Sequence, residues 1–173
     1  MQRSGASVHI VVGFDFSPLS ELALREAAAL AAERPDITIH VVSARSDDSR
    51  HRISNSSSED VGFELEQALM ESARTALRDQ GASEAIAVVP HTLVGEPADL
   101  IVAMAEDVDA ELIIVGSHGR RGIKRLFLGS VAEEVMRSAC CPVLVMRRTG
   151  QGVGGPECRP PWLPRDSRGD RRS

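Results

Sequence analysis

A chain of 173 residues has room for one domain with a sizeable core and is short for two. Aromatic residues are only 3% of a chain that is 42% hydrophobic, so Ala, Val, Leu and Ile must fill the interior, which suits helices packed on a parallel sheet. The net charge of −5 divides into +4 from Arg147 onward, where seven arginines meet three acids, and −9 on the rest. So acidic a body is a poor candidate for non-specific nucleic-acid binding.

Val8-His9-Ile10-Val11-Val12-Gly13 reads as a first strand, β-branched and ended by glycine. Ser17-Pro18 then sets an N-cap before a proline at the first helical position, and Leu19, Leu22, Ala23, Ala27 and Leu30 mark one helical face to about Glu33. Pro35-Asp36 breaks that helix, and Ile37 to Val42 forms the second strand. Ser46 to Ser58 is a polar, serine-rich loop. Ser57-x-x-Asp60 has the form of a capping box, after which Val61, Leu65, Leu69, Ala73 and Leu77 share a face and Gly81 supplies the stop. Ala85 to Val89 opens a third strand that extends toward Val94. Gly95-Glu96-Pro97 turns into a helix carrying Leu100, Ile101, Met104 and Ala105. Leu112 to Val115 is a strand buried on both faces, Ser130 to Ala139 a helix, and Pro142 to Met146 the last strand.

Strict alternation of strand and helix predicts an α/β fold, a parallel five-stranded sheet covered on both faces. The domain is expected over residues 1–148. Residues 149–173, rich in Gly, Pro and Arg and without an apolar period, are expected to be a disordered tail. Apolar runs stop short of membrane-spanning length and no secretory signal precedes the first strand, so the expectation is a cytoplasmic protein with reduced thiols and no membrane contact. Cys140 and Cys141 read as small packing residues, because no His or Cys stands beside them at ligand spacing. His9, His40, His51 and His91 are scattered along the chain, and no metal site is expected from them.

The chemistry concentrates at two strand ends. Gly116 to Ser130 is a glycine-rich segment between a buried strand and a helix, a place where backbone N–H groups and a helix N-terminus attract phosphate. Gly116, Gly119 and Gly122 are read as letting the main chain approach phosphate oxygens, with Gly129 and Ser130 at the helix start and Arg120, Arg121, Lys124 and Arg125 supplying positive charge. Gly13-Phe14-Asp15-Phe16-Ser17 follows the first strand. Asp15 suits a ribose hydroxyl or a phosphate-held divalent ion such as Mg²⁺, and has a second reading as a helix cap. His118 reads either as a ligand-facing group or as an exposed loop residue. The chain lacks Gly-x-x-x-x-Gly-Lys-Ser/Thr, a Gly-x-Gly-x-x-Gly after the first strand, and a Gly-x-Ser-x-Gly elbow.

The spacing Gly116-x2-Gly119-x9-Gly129-Ser130 resembles that of the ATP-binding subgroup of the universal stress protein family. The resemblance takes in Asp15 with Ser17, Ser130-Val131-Ala132 and Cys141-Pro142-Val143-Leu144-Val145, and covers about Ser7 to Arg148. It implies a three-layer, flavodoxin-like (adenine nucleotide alpha hydrolase-like) fold with sheet order 3-2-1-4-5, ATP in the cleft, and homodimers joined through the final strand. By the same resemblance the main chain near Val42 would meet adenine. Asp15 and Gly116 would lie near ribose and phosphate, and Gly119, Gly129 and Ser130 would hold the phosphates; Gly13, Ser17, His118, Arg120, Gly122 and Val131 complete the expected cofactor-binding set. The function so implied is a nucleotide-binding stress-response sensor or regulator; the alternative is a slow ATP hydrolase or adenylyl-transfer enzyme on the same fold.

Overall fold

Side chains alternating along each strand sort the interior into two cores. A computed structural model of the chain describes residues 7–45, 58–118 and 128–147. In chain order the elements are β1 (Val8–Gly13), α1 (Pro18–Glu33), β2 (Ile37–Arg45), α2 (Ser58–Asp79), β3 (Ala87–Val94), α3 (Pro97–Asp107), β4 (Leu112–Gly116), α4 (Ser130–Ser138) and β5 (Val143–Met146). All five strands are parallel, in the order β3-β2-β1-β4-β5. Ile10, Val12, Ile39, Val41 and Ile114 face one core with Leu24, Leu69 and Leu77 of α1 and α2. Val11, Val42, Ile113 and Val115 face the other, with Ile101 and Ala105 of α3 and Val135 of α4. Right-handed crossovers require this division, with α1 and α2 on one side and α3 and α4 on the other.

Local chemistry sets the helix ends. Ser17 caps α1 through a reciprocal box with Ser20, and Pro18 occupies the first turn, where its missing N–H costs nothing. After α2, Gly81 takes a φ of +66° while Ala82 N donates to Leu77 O and Gly81 N to Arg78 O. That pairing satisfies two terminal carbonyls and needs a left-handed residue.

Two strand boundaries differ from the sequence reading. β2 runs on to Arg45 because Ser43, Ala44 and Arg45 pair with Thr92, Leu93 and Val94. Their polar character disguises a strand whose reward is main-chain bonding. β3 begins at Ala87, since Ile86 N is bonded to Ser83 O in the preceding turn. Pro90 lies inside β3, which is tolerated because β3 is an edge strand. Ser57, the rest of the 46–57 loop and the tail fall outside the described residues.

Candidate functional site

β1 pairs with β2 on one side and β4 on the other, so the winding direction reverses between β1 and β4. In open α/β sheets the crevice at the carboxyl ends of such strands is the ligand position. On the β1 side, Phe14 N donates to Val42 O at 2.8 Å, tying the turn to β2. Phe16 adopts φ +60°, unusual for a bulky residue, and its ring meets Phe14 edge-on at 4.9 Å. Beyond that turn, Ser17 N donates to Asp15 Oδ1 and to Ser20 Oγ, both at 3.1 Å, and Asp15 N donates to Ser20 Oγ at 3.3 Å. Ser17, not Asp15, is therefore the cap of α1. The Asp15 side chain belongs to the turn that opens on the cleft.

On the β4 side the glycines have packing duties. A Cβ at Gly116 would stand 2.9 Å from Leu19 Cβ, 3.0 Å from Leu19 C and 3.1 Å from Ser20 N. Gly116 is required by the close passage of α1. Gly129 is packed likewise: its N–H donates to Ser117 O at 2.7 Å, and a Cβ there would lie 3.0 Å from that oxygen. Gly129 thus closes the loop, and its amide is already engaged. The next amides, of Ser130 and Val131, begin α4 and have no intrahelical acceptor, because the first helical bond is Glu133 N to Gly129 O. Gly13 has a packing role as well, since a Cβ would meet Ile101 Cδ1 at 2.6 Å.

His118 is half-buried. Its Nδ1 lies 3.1 Å from Ser117 Oγ, and its Nε2 is buried without a hydrogen-bond partner among the described residues. Buried polar atoms are rarely left so. This nitrogen belongs to a residue that lines the cleft, an open cavity of about 130 Å³.

Of the residues singled out from sequence, Gly13, Asp15, Ser17, Val42, Gly116, His118 and Val131 line this one cleft. Gly129 and Ser130 precede Val131 at the α4 start and do not line it. Gly119, Arg120 and Gly122 lie outside the described residues. Sequence reasoning missed Phe14, Ser20, Ala44, Pro97, Ile101 and Val115. The Ser17-x-x-Ser20 spacing could have revealed Ser20, and Phe14 and Val115 adjoin residues already singled out; nothing local marks Ala44, Pro97 and Ile101, which reach the cleft through sheet register and the approach of α3. Among the described residues no group of three or more His, Cys, Asp or Glu could hold a metal ion. Asp15 alone fits Mg²⁺ only if ligand phosphates supply further oxygens. Burial, with Cys140 second, pushes the Cys141 thiol above its usual range, as befits a packing residue.

Residues 8–147 match the model of the universal stress protein family. The chain belongs to the universal stress protein family. A universal stress protein of Methanocaldococcus jannaschii is 33% identical over 147 residues, covering 78% of this chain and 91% of the relative. A universal stress protein solved in complex with cAMP is 26% identical, with a TM-score of 0.62 over 82% of this chain and 98% of that one. The universal stress protein of Archaeoglobus fulgidus solved in complex with dAMP is 31% identical, with a TM-score of 0.58 over 82% and 99%. The sheet order found here is that of this universal stress protein fold.

Proposed function

We propose that this universal stress protein binds an adenine nucleotide, ATP in particular, in the cleft between the ends of β1 and β4. The observation that carries the reading is the buried His118 Nε2, without a partner among the described residues, in a cleft that also presents Asp15 and the start of α4. An orphaned nitrogen in a cleft is satisfied by a ligand oxygen, and the Val131 amide suits a phosphate, with the Ser130 amide and hydroxyl just beyond the cleft lining at the same helix start. Val42, Ala44, Pro97 and Ile101 give the other end the apolar character a base requires. Relatives solved with cAMP and dAMP support the adenine nucleotide class. Mg²⁺, where present, would be held by Asp15 and the phosphates, neutralising charge on them.

The protein so read is a cytoplasmic sensor or regulator of the stress response, a homodimer through β5, whose working event is binding. No helix of the described residues is long and apolar enough to cross a membrane. A second reading, slow ATP hydrolysis, draws on the same His118 nitrogen, which could orient a water. Calorimetric titration with ATP tests the first reading, and steady phosphate release that vanishes in His118→Ala would establish the second.

A further inference from the structure

His9, His40 and His91 stand on the neighbouring strands β1, β2 and β3, on the sheet face that carries Val11 and Val42 and that α3 covers. His9 Nδ1 lies 3.0 Å from His40 Nε2, and His40 Nδ1 lies 3.1 Å from His91 Nε2. The His9 and His40 rings are tilted by 42° with centroids 5.2 Å apart; those of His40 and His91 stack at 17° and 5.3 Å. His40 is buried and its two neighbours are half-buried. Residues scattered in sequence are one row in space.

Proton counting gives the row its character. A neutral imidazole has one N–H, so His40 must donate to one neighbour and accept from the other, and the tautomers of all three rings are set together. One added proton fits, because a charged end ring can donate to a neutral His40, which donates onward. A second does not. With both end rings charged, one N–H is set against an N–H of His40 across a hydrogen-bond distance, and two cations share one row of the sheet.

Few other charges face the row. From β1 and β3 the groups acting on His40 are His9 and His91 themselves. α3 turns Ala98, Ile101 and Ala105 inward and keeps Asp99, Glu106 and Asp107 exposed, while Glu66 of α2 acts on His91. Burial is the main influence, lowering His91 and holding His40 at about 4.

The row also touches the cleft wall. His91 is the register partner of Val42, and Val42 lines the cleft while its carbonyl accepts the Phe14 amide. His40 lies two residues before Val42 on the same face. We propose that the His9–His40–His91 row is an acid-sensitive brace of the nucleotide cleft: neutral, it holds β1, β2 and β3 in register beneath the ligand, and doubly protonated it parts and releases the ligand. This inference rests on the cleft binding nucleotide, as proposed above.

The test is ATP titration of the full chain and of the double variant His40→Gln/His91→Gln between about pH 7.5 and pH 5; with one imidazole left, that row cannot take two protons. A glutamine amide can bond to either neighbour and does not titrate. The wild type is expected to lose about tenfold more affinity than the double variant across that range. The ligand and the rest of the cleft are common to both proteins, so their pH dependence cancels. Should that variant fail to fold, His9→Gln/His91→Gln, altered only at the half-buried ends, carries the comparison. Imidazole ¹⁵N spectra of the ligand-free wild type should show His40 neutral at about pH 5.5, with a single tautomer setting along the row. Equal loss of affinity in wild type and variants, or a charged His40 at that pH, overturns the brace. Absence of ATP binding by the wild type at about pH 7.5, with the spectra as expected, overturns the nucleotide reading and the release of ligand, and leaves the coupled row standing.

Discussion

A methyl group at Gly116 would press on Leu19 Cβ and on the first-turn backbone of α1. Gly116→Ala is therefore expected to lower stability by about 1–3 kcal/mol, visible as an earlier urea midpoint in the ligand-free protein. An unchanged midpoint would return Gly116 to a ligand-contact role. Asp15→Ala should weaken nucleotide binding by about 1–3 kcal/mol through loss of a polar contact. His118→Ala should weaken it by about as much, since the ligand loses the partner offered by Nε2; a Kd within twofold of wild type in both would deny them contact. His40 ties stability to pH. Its folded value of about 4 lies below the ordinary 6.5, chiefly through burial and then through His91 and His9. Between those values the unfolded chain binds the proton that the folded chain refuses, so stability falls as pH drops from 6.5 toward 4 and is flat with respect to this group below that. The loss is on the order of 3 kcal/mol, at about 1.4 kcal/mol per unit. Denaturant titrations should show that slope in the wild type and a shallower one in His40→Gln.

At the scale of elements, β5 has one partner, β4, and an open outer edge among the described residues. Leu144 is 36% exposed there, on a short apolar strand of the kind that pairs with another chain. If β5 joins two copies, Leu144→Lys should shift the sedimenting species from dimer to monomer with thermal stability nearly unchanged; a persistent dimer would place the interface elsewhere. The elements most legible in the sequence are those with local signals: the β-branched run of β1, the Ser17-Pro18 start of α1, and the apolar run of β4. β2 was legible only in part, because Ser43 to Arg45 are strand by virtue of pairing with Thr92 to Val94. The site was legible to the same extent. Asp15 and His118 stand beside recognisable glycines, whereas Ala44, Pro97 and Ile101 arrive from separate elements. The histidine row was hidden for that reason too. His9, His40 and His91 meet across strand register, which no window of sequence contains.

For the whole molecule, two apolar cores sandwich the sheet and leave its carboxyl edge for a cleft assembled from β1, β2, α1, α3, β4 and α4. No Lys or Arg lines that cleft among the described residues, in a body whose net charge is −9 apart from the tail. The α4 amides offer attraction for an anionic ligand, and the basic run of Arg120, Arg121, Lys124 and Arg125 adds to it if, as the sequence reading expects, it lies by the phosphates. Replacing Lys124 and Arg125 together with Gln should weaken ATP binding and flatten its salt dependence, while the urea midpoint stays put. Calorimetric titration of the full chain with ATP at neutral pH, paired with thermal melts, tests the central claim most directly. The account predicts saturable heat and a Tm that rises with nucleotide concentration, both diminished in Asp15→Ala. No heat, and a Tm unmoved by a large excess of ATP, would contradict it.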